Sequence, residues 1–200
     1  MEPQDRIKAQ LMDARDLDRT LNRMAQQIVE LIDPAAPGGA SADQFALIGM
    51  QTRGVHLARR LQVRIRAIEG IDLDLGVLDA TMYRDDFRVR MKHPVVRATH
   101  IPFDVSRRHL VLVDDVLYTG RTARSALDAL MDLGRPATVH FLVIVDRGLR
   151  ELPITADFVG RRVPTIPGEE VRVRLREIDD REGVWLVETA RPQAPGRVPL

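Results

Sequence analysis

The chain has 200 residues, 44% of them hydrophobic and 30% charged, with a formal net charge of +1. That composition suits one globular domain and excludes a disordered chain, and no apolar run approaches the roughly 18–20 residues that a bilayer requires. The absence of cysteine excludes disulfides, thiolate metal sites and a cysteine nucleophile.

Residues 1–12 read as a flexible lead-in. Their charged start, Met1-Glu2-Pro3-Gln4-Asp5-Arg6, leads into no signal-type apolar core, so a cytoplasmic protein with no membrane partner is expected. Asp13, with Asp16 three residues on, marks a helix start. Leu17, Leu21, Met24, Ile28, Leu31 and Ile32 then keep helical spacing, while Arg15, Arg19, Asn22, Arg23 and Gln26 occupy the opposite face. Residues 33–43, with two prolines and two glycines, predict a loop. Residues 45–50 read as a short buried strand that ends in Gln51-Thr52-Arg53-Gly54, and a second amphipathic helix follows to about Ile68. Residues 74–80 form a partly alternating strand.

Residues 84–101 lack a clean period and carry a charge cluster, as a functional or mobile loop would. An apolar run over 109–113 predicts a central parallel strand. A helix is expected over 121–133, stopped by Gly134-Arg135-Pro136, and a buried strand over 138–145. Short strands follow at 157–160, 171–177 and 184–188, with a turn near Asp179-Asp180. The last ten residues hold three prolines and read as a disordered tail, which leaves 13–190 as a single domain. The alternation of strand and helix predicts an α/β fold with a mostly parallel sheet. Such sheets bind ligands at the carboxyl ends of their strands. Neither G-x-G-x-x-G nor G-x-x-x-x-G-K-[ST] occurs.

The informative stretch is Leu110-Val111-Leu112-Val113-Asp114-Asp115-Val116-Leu117-Tyr118-Thr119-Gly120-Arg121-Thr122. It reads as a buried strand, two acids, a tight turn and a helix start. The turn offers backbone N–H groups and two hydroxyls at a helix N-terminus, a ready phosphate site. The acids should face hydroxyls, a metal or a developing cation rather than the phosphate. A ribose 5-phosphate meets both needs; the plain alternative is an acidic strand end followed by an N-cap threonine.

This stretch resembles the phosphoribosyl pyrophosphate (PRPP) signature of type I phosphoribosyltransferases. With Thr81-Met82-Tyr83-Arg84-Asp85-Asp86, Val145-Asp146-Arg147-Gly148 and Arg150-Glu151-Leu152-Pro153-Ile154, the chain resembles the pyrimidine-operon attenuation regulators of the PyrR family over roughly residues 11–190. The resemblance implies a twisted, mostly parallel sheet with flanking helices, an N-terminal helix and a small C-terminal β region. It implies that Asp114 and Asp115 bind ribose hydroxyls and support an oxocarbenium-like transition state, that Thr119, Gly120, Arg121 and Thr122 hold the 5-phosphate, and that Tyr118 is a further PRPP-binding residue. Thr52, Arg53 and Gly54 would bind pyrophosphate in a loop that in this fold often contains a non-proline cis peptide. Arg84 would meet pyrophosphate from a closing hood. Mg²⁺ would be held mainly by substrate oxygens, with Asp114 and Asp115 as candidate ligands. Val145, Asp146, Arg147 and Gly148 would form the uracil pocket, mostly through backbone groups. His56 and His140 read as structural.

The activity so implied is transfer of ribose 5-phosphate from PRPP to uracil, giving UMP and pyrophosphate. A second implied role is UMP-dependent binding of pyrimidine-operon leader RNA by a homodimer or higher homo-oligomer. Arg19, Asn22, Arg23, Arg161 and Arg162 are the candidate RNA contacts. Asn22 and Gln26 stand where relatives commonly show Thr and His, Leu149 interrupts the usual R-G-H-R-E-L-P reading, and Thr155 replaces a commonly basic residue. An enzyme that has lost RNA binding therefore stands as the alternative, and a weakly active nucleotide-binding regulator as the third.

Overall fold

A computed structural model of the chain describes residues 6–32, 41–83 and 98–189. The central sheet contains β2 (Phe45–Met50), β3 (Asp74–Leu78), β4 (His109–Leu117), β5 (Thr138–Asp146) and β6 (Phe158–Arg162). All neighbours are parallel, in the order β3-β2-β4-β5-β6. Helices α1 (Ala14–Leu31) and α2 (Arg53–Glu69) cover one face, and α3 (Arg121–Leu133) the other. Strand alternation sorts the side chains. Leu47, Val111, Val113, Leu142 and Ile144 pack toward α1 and α2. Ile48, Leu110, Leu112 and Val143 pack toward Ala126 and Leu130 of α3. Covering both faces is what makes every residue of β2 buried.

A second sheet is antiparallel, in the order β1-β8-β7, from β1 (Arg6–Met12), β7 (Glu169–Arg174) and β8 (Gly183–Glu188). Val171, Val173 and Val184 join the core under α1 and α2, so the small sheet shares that core with the large one.

Two expectations are corrected. Residues 6–12 are not a flexible lead-in but a strand, with Ile7 opposite Val187 and Met12 opposite Val184. Its side chains are exposed until Leu11 and Met12, so local patterning carries no signal and the pairing comes from the far end of the chain. The strand expected to end at Val113 runs on to Leu117, because β5 continues beside it, with Val116 opposite Val145 and Leu117 opposite Asp146. The acid pair thus lies inside a strand. The loop at 33–40, Arg84 with residues 84–97, and the tail from 190 onward lie outside the described residues.

Asp13 caps α1 as expected. Its carboxylate accepts from the Asp16 N–H at 2.7 Å, and Asp16 returns the contact to the Asp13 N–H at 3.4 Å. Asp13→Ala should lower the unfolding free energy by about 1 kcal/mol in denaturant melts. An unchanged midpoint would mean that packing alone fixes this helix start.

Candidate active site

Strands β2, β4 and β5 are neighbours in the sheet, so their carboxyl-end loops meet. They bring together residues 51–54, 114–122 and 146–148, segments far apart in sequence. The loops are also tied to one another. The Arg147 N–H donates to the Leu117 carbonyl at 3.0 Å, and the N–H groups of Glu151 and Leu152 both donate to the Thr119 carbonyl at 3.0 Å.

The first loop contains a cis peptide between Gln51 and Thr52. Gly54 follows inside the first turn of α2, and a Cβ there would stand 2.2 Å from the Val113 carbonyl oxygen. Only glycine lets the helix approach the β4 backbone this closely, directly before the acid pair. Arg53 does not point freely into solvent. One terminal nitrogen of its guanidinium lies 3.0 and 3.1 Å from the two carboxylate oxygens of Asp179.

Asp114 and Asp115 are both half-buried near the end of β4. Burial pushes the Asp115 carboxyl above the ordinary carboxylate range, opposed first by the positive charge of Arg53 and then by a hydrogen bond with Asp114. The Asp115 N–H also donates to the Asp114 carboxylate at 2.9 Å. Among the described residues no cluster of three or more His, Asp or Glu side chains could enclose a metal ion. Two hard carboxylates without a cage fit Mg²⁺ that arrives with a phosphorylated ligand and keeps few protein ligands.

At the turn, Gly120 has φ of 90° and caps α3. A side chain is disfavoured there, and the backbone packs against Leu152 and Ile154. The N–H groups at the start of α3 form the anion-binding end of a 13-residue helix. The Thr119 hydroxyl accepts from the Arg121 N–H at 3.3 Å, while the Arg121 side chain pairs with Glu151 at 2.6 Å. Thr122 lies half-buried in the first turn of α3. The Tyr118 ring is covered by the Arg147 guanidinium, 3.9 Å from its centroid.

The loop after β5 exposes little side-chain chemistry. Val145 is fully buried. The Asp146 carboxylate accepts from the Gly148 N–H at 3.0 Å and pairs with Arg150 at 2.6 Å. Arg147 is buried, donating to the Thr165 hydroxyl at 3.0 Å and the Glu169 carbonyl at 2.5 Å. Its side chain therefore fastens the loop to the small sheet. Gly148 and Leu149 both have positive φ, 74° and 56°. Arg150, to which the sequence reading gave no role, braces the two loops: it donates to the carbonyls of Tyr118 at 2.6 Å, Gly148 at 3.3 Å and Ile154 at 2.9 Å. Its place beside the Asp146 motif was the available signal. Asp179 was read only as part of a turn.

Of the arginine-face candidates, Arg23 and Arg161 meet at one seam. Arg23 donates to the Gly160 carbonyl at 2.8 Å, and Arg161 to the Leu11 carbonyl. Arg19 and Arg162 are exposed. Asn22 is turned to α2, where it accepts from Arg64 at 2.8 Å and donates to Asp18 at 3.3 Å.

A family model described as a phosphoribosyl transferase domain matches residues 9–177. A bifunctional protein PyrR from Pelotomaculum thermopropionicum is 51% identical over 185 residues, covering 92% of this chain and 98% of that one. Another from Thermus aquaticus is 50% identical over 187 residues, covering 92% and 99%. Among solved structures, a hypoxanthine-guanine phosphoribosyltransferase from Bacillus anthracis superposes with a TM-score of 0.64 at 17% identity, covering 92% of this chain and 99% of that one. At that identity the likeness speaks for the fold. No described helix is long and apolar enough to cross a membrane.

Proposed function

Because the chain belongs to the PyrR branch of the phosphoribosyltransferase domain family, we propose that it transfers ribose 5-phosphate from PRPP to uracil and regulates pyrimidine-operon transcription through leader RNA. The observation that carries the catalytic half is the convergence of three loops at the carboxyl ends of adjacent strands β2, β4 and β5. The turn at Thr119, Gly120, Arg121 and Thr122 takes the 5-phosphate on backbone N–H groups and the α3 dipole, with Tyr118 beside it in the PRPP site. Asp114 and Asp115 take the ribose hydroxyls and face the positive charge that develops at the anomeric carbon. Thr52, Arg53 and Gly54 take the pyrophosphate, joined by Arg84. The backbone of Val145, Asp146, Arg147 and Gly148 holds the uracil ring so that its nitrogen attacks as the carbon–pyrophosphate bond breaks, the ring N–H proton passing to solvent. Asp114 and Asp115 are the protein oxygens that would help hold Mg²⁺ brought in with PRPP, which would supply positive charge to offset that of the leaving pyrophosphate. Purified protein given PRPP, Mg²⁺ and uracil should form UMP and pyrophosphate in equal amounts; absence of UMP would reject the reading.

For regulation, α1 and β6 supply a basic seam in which Arg19 and Arg162 are the most available cations and Arg23 and Arg161 already serve backbone carbonyls. Arg162→Ala should weaken leader-RNA binding and flatten its salt dependence by about one counterion, leaving UMP synthesis intact. An unchanged salt slope would move the RNA face elsewhere. The engagement of Asn22, Arg23 and Arg161 within the fold favours, as second reading, an enzyme without RNA binding. Protein that ignores its own operon leader at saturating UMP decides for that reading. The protein is taken to work in the cytoplasm as a homodimer or higher oligomer, and light scattering that finds only monomer at micromolar concentration would refute the assembly.

A further inference from the structure

Helix α2 is joined to the segment after β7 by two arginines of different design. Arg60, two turns into the helix, spends all three guanidinium nitrogens. Its Nε and one terminal nitrogen grip Glu177 at 2.8 and 2.7 Å, and its terminal nitrogens reach Glu182 at 2.5 and 3.1 Å. That is a saturated staple, and its charge is held so firmly that the Arg60 pKa is driven up by the Glu182 contact.

Arg53, at the first helical position, is not saturated. A single terminal nitrogen satisfies both oxygens of Asp179. Its Nε is buried and, among the described residues, is the one buried side-chain polar atom without a hydrogen-bond partner. Unpaired buried donors are rare in folded proteins. One end of this guanidinium is anchored and its Nε is enclosed, while the side chain keeps 28% exposure beside the loop that faces the acid pair.

The anchor itself is rigid. The Asp179 side chain is only 10% exposed, and it also accepts from Arg174 at 2.7 Å and from the Leu175 N–H at 3.1 Å. With those donors in place its carboxyl titrates below the ordinary range even against burial. Asp179 lies in no motif and just beyond the stretch that the family model matches.

We propose that Asp179 is a positioning residue for phosphoribosyl transfer: from the turn after β7 it fixes the Arg53 guanidinium so that the loop at Thr52, Arg53 and Gly54 presents the exposed part of that side chain to the pyrophosphate of PRPP. This rests on the catalytic reading above. Arg60 already ties α2 to this segment one to two turns farther along the helix, and the Arg53–Asp179 contact is a second tie placed at the loop itself.

Asp179→Asn should raise both the KM and the calorimetric Kd for PRPP with Mg²⁺ about tenfold. The kcat and the KM for uracil should stay within about threefold. Asp179→Glu should recover most of the affinity. Arg60→Gln, which removes the saturated staple, should lower Tm without moving the KM for PRPP. In an Arg53→Gln background, Asp179→Asn should add nothing further, because it acts through that arginine. An unchanged Kd for PRPP in Asp179→Asn overturns the proposal. So does an equal loss in the Arg53→Gln background, or a fall in kcat and both KM values that tracks Tm. If Asp179→Asn does not fold, Asp179→Glu and the Arg53→Gln pair decide by the same criteria. Wild-type protein that binds PRPP but makes no UMP would reject the uracil activity while the binding comparison still judges Asp179.

Discussion

Asp115→Asn should slow UMP formation by a factor on the order of 10²–10³ while the protein stays folded, the size expected for losing one preorganised charge at a developing cation. The substitution keeps shape and removes only the carboxylate. Steady-state kinetics with PRPP and uracil measure it, and a loss below tenfold would place the main stabilising charge on Asp114. Stability should move the other way. Burial raises the Asp115 pKa in the folded state, so the carboxylate form works against folding once the pH exceeds its unfolded value. The neutral Asn should therefore match or exceed the wild-type Tm near pH 7 in the absence of Mg²⁺. The difference should shrink as the pH falls below about 4, where the unfolded carboxyl is also protonated. A lower Tm for the variant at neutral pH would show that the pull of Arg53 and Asp114 outweighs the burial. A residue whose replacement leaves the fold as stable or more so while slowing turnover is the pattern of a site kept for chemistry.

Gly54→Ala should be the most damaging single methyl group in the site. The added Cβ would lie 2.2 Å from the Val113 carbonyl oxygen and 3.3 Å from the Asp114 Cα, both backbone atoms of a central strand. Neither can rotate away, so the start of α2 must shift off β4. Overpacking of this kind costs about 1–3 kcal/mol. The functional loss should be larger, because the pyrophosphate loop and the acid pair move apart, and about 1 Å of misplacement can cost 10²-fold. Denaturant melts and kcat/KM measured together test it. A variant with normal turnover would mean that the loop tolerates the shift, and would loosen its assignment to pyrophosphate.

The sequence by itself determined what is local in chain distance. The 3.6-residue period of α1, the continuous apolar run of β4 and the Asp13 cap are each written within one element, and they specified helices, parallel strands and their order. The Asp114-Asp115 pair and the Thr119–Thr122 turn were legible because acid pair, glycine and helix start are contiguous. What the tertiary structure decided is what joins residues far apart. Strand β1 exists because residues 184–188 pair with it. β4 continues through the acids because β5 runs alongside. The Arg147 guanidinium is buried against Tyr118 and Thr165, and Arg53 received its partner from a turn 126 residues away. Periodicity and turn chemistry act over a few residues, where the backbone alone brings groups together. A long arginine side chain instead takes whichever carbonyl or carboxylate the packed elements set within its reach, and no local pattern records that choice.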